Sequence, residues 1–136
     1  FDICGESLSI KDVTVPICSI ATETDHIAPW KDVYRGFLKT GSRSKTFIVG
    51  QSGHIAGIVN PPSKKKYGHY TSDDLPPLAE DWMEGATLNE GSWWPLWESW
   101  LKPRSGKQVP AREPGDSNHP PLADAPGTYV MAKATI

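Results

Sequence analysis

The stretch VTVPICSIATETDHIAPWKDVYRGFLKTGSRSKTFIVGQSGHIAG, residues 13–57, decides the fold class. Residues 13–22 are rich in β-branched and apolar types, with Pro16 near the start where a missing N–H does least harm, and they read as a buried strand. A polar turn, ETDHIAPW, follows. Trp30, Val33, Tyr34, Phe37 and Leu38 then recur at helical spacing behind Pro29, a suitable first-turn proline, which predicts a short amphipathic helix over 30–38. Residues 41–44 break it, and 45–50, KTFIVG, read as a second short strand closed by glycine. The loop QSGHIAG follows this strand as ETDHIAP follows the first; the His-Ile-Ala triplet they share is too short to be a repeat. Strand, loop and helix in alternation predict an α/β layer arrangement.

Outward from this unit, residues 61–77, PPSKKKYGHYTSDDLPP, are proline-punctuated and charged and read as an irregular surface excursion. Helices are predicted again over 78–86, LAEDWMEGA, and over 92–101, SWWPLWESWL, the latter with Ser92 as N-cap and with Trp93, Trp97 and Trp100 on one side. Both helices are expected to dock. Residues 103–127 are proline, glycine and charge without periodicity, so 103–136 read as a loosely ordered C-terminal arm, with 129–131 its best anchor, behind a main unit over 1–102.

Composition sets limits on what such a chain can be. With 136 residues and 14.9 kDa it fits one small domain or part of a larger one. Its 13 prolines, about 10% and roughly twice average usage, exclude long uninterrupted helices. A formal charge of -2 is too balanced for general attraction to nucleic acid or to an anionic membrane. No run of about 18 apolar residues predicts a membrane span, and the first ten residues lack the pattern of a secretory leader. Two cysteines without a CxxC spacing point to a reducing compartment, and the initial Phe suggests a piece cut from something longer.

Chemistry-bearing residues fall mainly at the two strand ends. Asp25, just after the first strand, is placed either to form a turn or helix cap or to orient an imidazole, with His26 beside it. His54, between Gly53 and Gly57 after the second strand, is either a turn residue or a base that substrate can approach closely. The order strand-Asp-helix-strand-His is that in which α/β-hydrolases deliver the last two members of a triad, after an upstream nucleophile. Neither Cys4, Cys18 nor Ser52 lies on a G-x-S-x-G type elbow, so no complete catalytic centre is expected within this chain. Lys64, Lys65 and Lys66 could meet the phosphates of a nucleotide-like carrier or form a solvated surface. Trp82, Trp93, Trp94, Trp97 and Trp100 could line an apolar substrate path, although their helical spacing favours core packing. No HExxH or CxxC is present, and no metal or resident cofactor is expected.

Several of these segments together resemble a known family. VPICSIATETDHIAPW is similar to the strand and acid loop of class I polyhydroxyalkanoate synthases, the type that makes poly(3-hydroxybutyrate). TFIVGQSGHIAGIVNPP resembles their histidine loop, HYTSDDLP the excursion after it, GSWWPLWESWL their tryptophan helix and APGTYVMAKA their C-terminus. Leu96, where relatives often carry an acidic residue, and Tyr70, in place of a frequent Trp, depart from the pattern. The resemblance implies the C-terminal portion of an α/β-hydrolase-like fold, its last two strands, and a Cys-His-Asp triad in which Asp25 and His54 match acid and base and the cysteine lies upstream. His26 matches a histidine beside the acid and takes a supporting part. Lys64, Lys65, Lys66, Trp93 and Trp97 become candidate contacts for substrate.

The implied activity is acyl transfer from (R)-3-hydroxyacyl-CoA to a growing polyester, with coenzyme A as part of the substrate. A cytoplasmic enzyme at the surface of polymer granules, homodimeric through contacts elsewhere, is implied as well. Two other readings of the same residues stay open: a thioester or polyester hydrolase of the same fold, and a non-catalytic module that binds a granule through its tryptophans.

Overall fold

The computed structural model describes residues 2–133; Phe1 and residues 134–136, which end the predicted arm and include the last alanine of APGTYVMAKA, lie outside them. The chain forms two compact units, Phe1–Ser105 and Gly106–Ile136. The first holds strands β1 (Asp2–Ile3), β2 (Glu6–Ser7) and β3 (Ile17–Thr22), helix α1 (Trp30–Leu38), strands β4 (Lys45–Gly50) and β5 (His69–Thr71), helix α2 (Ala79–Gly85), strand β6 (Thr87–Asn89) and helix α3 (Trp94–Leu101). β1 and β2 make a small antiparallel hairpin through Cys4 and Gly5, both at positive φ, as a two-residue turn of this hand requires.

The main sheet has the order β3-β4-β5-β6. β3 and β4 run parallel from Ile17↔Lys45 to Thr22↔Gly50, joined by α1 as their crossover, so the α/β reading holds for the segment that predicted it. The sheet is mixed, because β5 joins β4 and β6 joins β5 in antiparallel sense. The expectation of two strands and an irregular excursion over 61–77 is therefore corrected to four strands, with His69–Thr71 inside that excursion. The first strand is also shorter than 13–22: Val13 and Val15 are exposed, and pairing starts at Ile17, after Pro16.

β4 lies between β3 and β5, and Phe47, Ile48 and Val49 are all buried, the continuous apolar run expected of a strand covered on both faces. On one face the rings of α1 and α2 close over Phe47. Its centroid lies 4.9 Å from Tyr34, 5.2 Å from Phe37 and 5.1 Å from Trp82, with edge-on geometry to Tyr34 and Trp82. The Tyr34 hydroxyl donates to the Pro76 carbonyl at 2.7 Å, which ties α1 to the chain entering α2. At the C-terminus of α1, Lys45 Nζ donates to the Leu38 and Thr40 carbonyls, both at 2.8 Å, and so places a cation where the helix dipole favours one.

α2 docks as predicted through Ala79 and Trp82, but α3 contains no buried residue. The reading of its tryptophans as core is thereby overturned for Trp94, Trp97 and Trp100. In the second unit, Tyr129–Met131 form a 3-10 turn with three exposed side chains. Among the described residues no helix is long and apolar enough to cross a membrane.

Candidate active site

Parallel strands put their C-terminal ends side by side, and the two loops leaving β3 and β4 are tied to each other beyond the last strand pair. Glu23 N–H donates to Gly50 O at 2.8 Å and Thr24 N–H to Ser52 O at 3.1 Å. The acid loop and the histidine loop are thus held in register before either side chain is considered. Residues 29 positions apart in sequence then meet: His54 Nδ1 lies 2.7 Å from Asp25 Oδ2.

Asp25 is fixed by its own loop. Its Oδ1 accepts from the Ile27 amide at 2.8 Å and the Ala28 amide at 2.9 Å, and its side chain is only 8% exposed. The two sequence-level readings of Asp25 are therefore compatible, since one carboxylate oxygen builds the turn and the other faces the imidazole. The Ala28 amide hydrogen bond first, and the His54 bond next, pull the carboxyl pKa down to about 2 from an ordinary 3.8. An ionised carboxylate can only accept, so His54 Nδ1 carries the proton and the Nε2 lone pair is left to take another. The His54 side chain is 47% exposed, and Nε2 makes no hydrogen bond among the described residues.

The sign of the pH dependence follows directly. A carboxyl whose folded pKa is depressed stabilises the fold above its ordinary pKa and ceases to as pH falls through the folded value. The thermal midpoint is expected to fall between about pH 4 and pH 2, with a smaller fall over the same range in Asp25→Asn. A carbon-13 carboxyl titration of Asp25 with its inflection near 3.8 would contradict this.

The remaining predicted residues are placed less centrally. His26 is exposed and makes no hydrogen bond among the described residues. Lys64, Lys65 and Lys66 are exposed around a 3-10 turn; Lys64 and Lys66 line an open groove of about 470 Å³ with Ile55, Ala56, Val59, Asn60 and Tyr67, immediately after His54 in the chain. Buried Asn60 shapes this groove by donating from Nδ2 to the Lys66 and Tyr67 carbonyls at 2.9 and 3.1 Å. Trp93 is buried with its indole N–H given to Gly57 O at 3.0 Å, and Trp97, 43% exposed, stacks edge-on against it at 6.1 Å. Cys4 is exposed in the hairpin turn, Cys18 lies half-buried in β3 where burial raises its thiol pKa, and neither is hydrogen-bonded to His54. Among the described residues no group of three or more His, Cys, Asp or Glu side chains is arranged to hold a metal ion.

Sequence reasoning assigned Trp94 only to an apolar path or the core and missed its backbone bond: its indole N–H donates to Ile58 O at 2.9 Å. A signal was available, because successive helical positions lie about 100° apart and a Trp-Trp doublet cannot put both rings on one core stripe. It also missed Gln51, whose amide N–H donates to Gly68 O at 2.9 Å while its Oε1 accepts from Gly68 N–H at 2.7 Å, fastening the histidine loop to β5.

No protein-family model matches the chain. Among curated proteins it is 44% identical over 129 residues to a poly(3-hydroxyalkanoate) polymerase subunit of Rhizobium etli, covering 95% of this chain and 20% of that protein. It is 48% identical over 128 residues to a poly(3-hydroxyalkanoate) polymerase of Methylorubrum extorquens, covering 93% and 21%. With a polymerase subunit of Cupriavidus necator it shares 38% over 133 residues, covering 97% and 22%. The chain thus spans between 20 and 22% of the length of these relatives.

Proposed function

We propose that this chain, related along nearly its whole length to poly(3-hydroxyalkanoate) polymerases, is the C-terminal part of such an enzyme's α/β-hydrolase-like catalytic domain, and that it carries the acid and base of an acyltransferase. The observation that carries the reading is the 2.7 Å contact of Asp25 with His54 at the adjacent ends of two parallel strands, with the imidazole Nε2 free. The reaction is transfer of (R)-3-hydroxyacyl groups, 3-hydroxybutyryl above all, from coenzyme A to a growing polyester. The nucleophile is a cysteine contributed by sequence outside this chain.

In the first half-reaction, His54 Nε2 takes the thiol proton as the cysteine sulfur attacks the thioester carbonyl. The bond from that carbonyl to the coenzyme A sulfur breaks, and the imidazolium returns the proton to the departing thiolate. In the second, Nε2 accepts the proton of a 3-hydroxyl group as its oxygen attacks a thioester carbonyl; an ester bond forms, a carbon–sulfur bond breaks and the thiolate is reprotonated. Asp25 holds the tautomer that makes Nε2 the base and stabilises the imidazolium in both halves.

His26 supports the acid loop, the amines of Lys64, Lys65 and Lys66 meet the phosphates of coenzyme A, and Trp93 and Trp97 border the acyl path in this reading. The chemistry requires no resident cofactor. The full-length enzyme works as a homodimer at the surface of cytoplasmic polymer granules, with residues 103–136 as an arm beyond the catalytic unit of 1–102.

The test supplies (R)-3-hydroxybutyryl-CoA to a full-length polymerase containing this segment and follows both products. The proposal expects released thiol to be matched by ester bonds in polymer. Free 3-hydroxybutyrate in equal amount would establish a hydrolase instead, and turnover indifferent to Asp25 and His54 would leave only a binding module.

A further inference from the structure

We infer that Trp93 and Trp94 are positioning residues of the acid–base pair, their two indole N–H groups clamping the backbone turn that carries His54. The inference rests on the role proposed for His54.

Residues 53–59 make a turn outside any helix, in which Gly57 N–H donates to Gly53 O at 2.9 Å and Val59 N–H to Ile55 O at 2.8 Å. No helix continues from this turn to supply a regular ladder of donors to its later carbonyls. Gly57 O accepts from the Trp93 indole, and Ile58 O accepts from the Trp94 indole as well as from Asn60 N–H at 3.0 Å; each tryptophan is 36 residues away in sequence from its acceptor. Core packing alone does not explain the arrangement: Trp93 is buried, but Trp94 is 36% exposed and α3, which it begins, buries no residue. The rings brace each other, edge-on at 6.4 Å, with Trp97 edge-on behind Trp93.

His54 depends on this backbone because its ring is half exposed and held by a single hydrogen bond. Just before it, Ser52 has φ 78°, a left-handed conformation that a non-glycine residue keeps only when its surroundings hold it there. On the near side the loop is fastened by Gln51 to β5 and by Thr24 to Ser52. At the far side it presses on β3 so closely that a Cβ on Gly57 would run into Thr22 Cγ2 and come within 2.8 Å of Gln51 O. The indoles secure that far side, and misplacement of a catalytic group by about 1 Å can cost on the order of a hundredfold in rate.

Trp93→Phe and Trp94→Phe keep a ring and remove the donor. In the full-length polymerase the double variant is expected to lose about tenfold or more in kcat and to add no further loss in a His54→Ala background, while Trp94→Phe alone lowers kcat with KM changed by less than about twofold. Trp100→Phe, whose ring sits beside Arg104 instead, serves as the control with unchanged kcat. The second readout is the downfield proton resonance of His54 Nδ1–H, which is expected to broaden or vanish in the double variant while the thermal transition persists. An unchanged resonance, or an equal loss of kcat with and without His54, would overturn the inference. If His54→Ala itself leaves turnover intact, the functional proposal fails, and the resonance alone decides the clamp.

Discussion

Converting His54 to Gln in a full-length polymerase that contains this segment is expected to lower coenzyme A release from (R)-3-hydroxybutyryl-CoA by about 10²–10⁴-fold. Glutamine approximates the size of the imidazole but has no lone pair basic enough to take the proton of a thiol or hydroxyl. Asp25→Asn is expected to fall in the same range through a different cause. The Ile27 and Ala28 amides still have an oxygen to donate to, whereas the neutral amide no longer selects the Nδ1–H tautomer or stabilises the imidazolium. Because both residues act as one unit, the double variant should be no slower than the slower single variant. Losses that multiply would mean that acid and base act separately.

The second large effect concerns the core that places those two loops. Trp82 is fully buried against Trp30, Tyr34 and Phe47, so Trp82→Ala is expected to cost about 3–5 kcal/mol, a large part of the roughly 5–15 kcal/mol of a whole small domain. Its indole N–H is buried without a hydrogen-bond partner among the described residues. Trp82→Phe fills much of the same space and removes that unsatisfied donor, so it should cost less than about 1.5 kcal/mol. Denaturant unfolding of the two variants measures the contrast, and equal losses would show that the ring's volume is not what matters.

The parts of this fold that the sequence disclosed are those with enough residues to show a period. The β-branched run before Asp25, the 30–38 face of Trp, Val, Tyr, Phe and Leu, and TFIV each extend over several positions, and the structure has β3, α1 and β4 there. β5 and β6 have three residues each, too few for alternation to stand out, and His69–Thr71 lies among prolines and charges that signal a loop. What makes it a strand is tertiary: Gln51 and β4 on one side and Asn89 on the other, whose Nδ2 donates to His69 O and Thr71 Oγ1. Asp25 and His54 were legible as a pair because both directly follow strands that the crossover makes neighbours. The core reading holds for Trp82 and Trp93 and fails for Trp94, Trp97 and Trp100, because helical spacing reveals a stripe but not where an indole N–H finds its acceptor.

The most direct test of the division of labour proposed for this chain is release of free thiol from (R)-3-hydroxybutyryl-CoA by the 136-residue chain alone, with its intact mass verified. No release above the rate of spontaneous hydrolysis is expected, because Asp25 and His54 have a base to offer but no nucleophile to activate. Release that disappears on His54→Ala would contradict it and would make Cys4, Cys18 or Ser52 the attacking group.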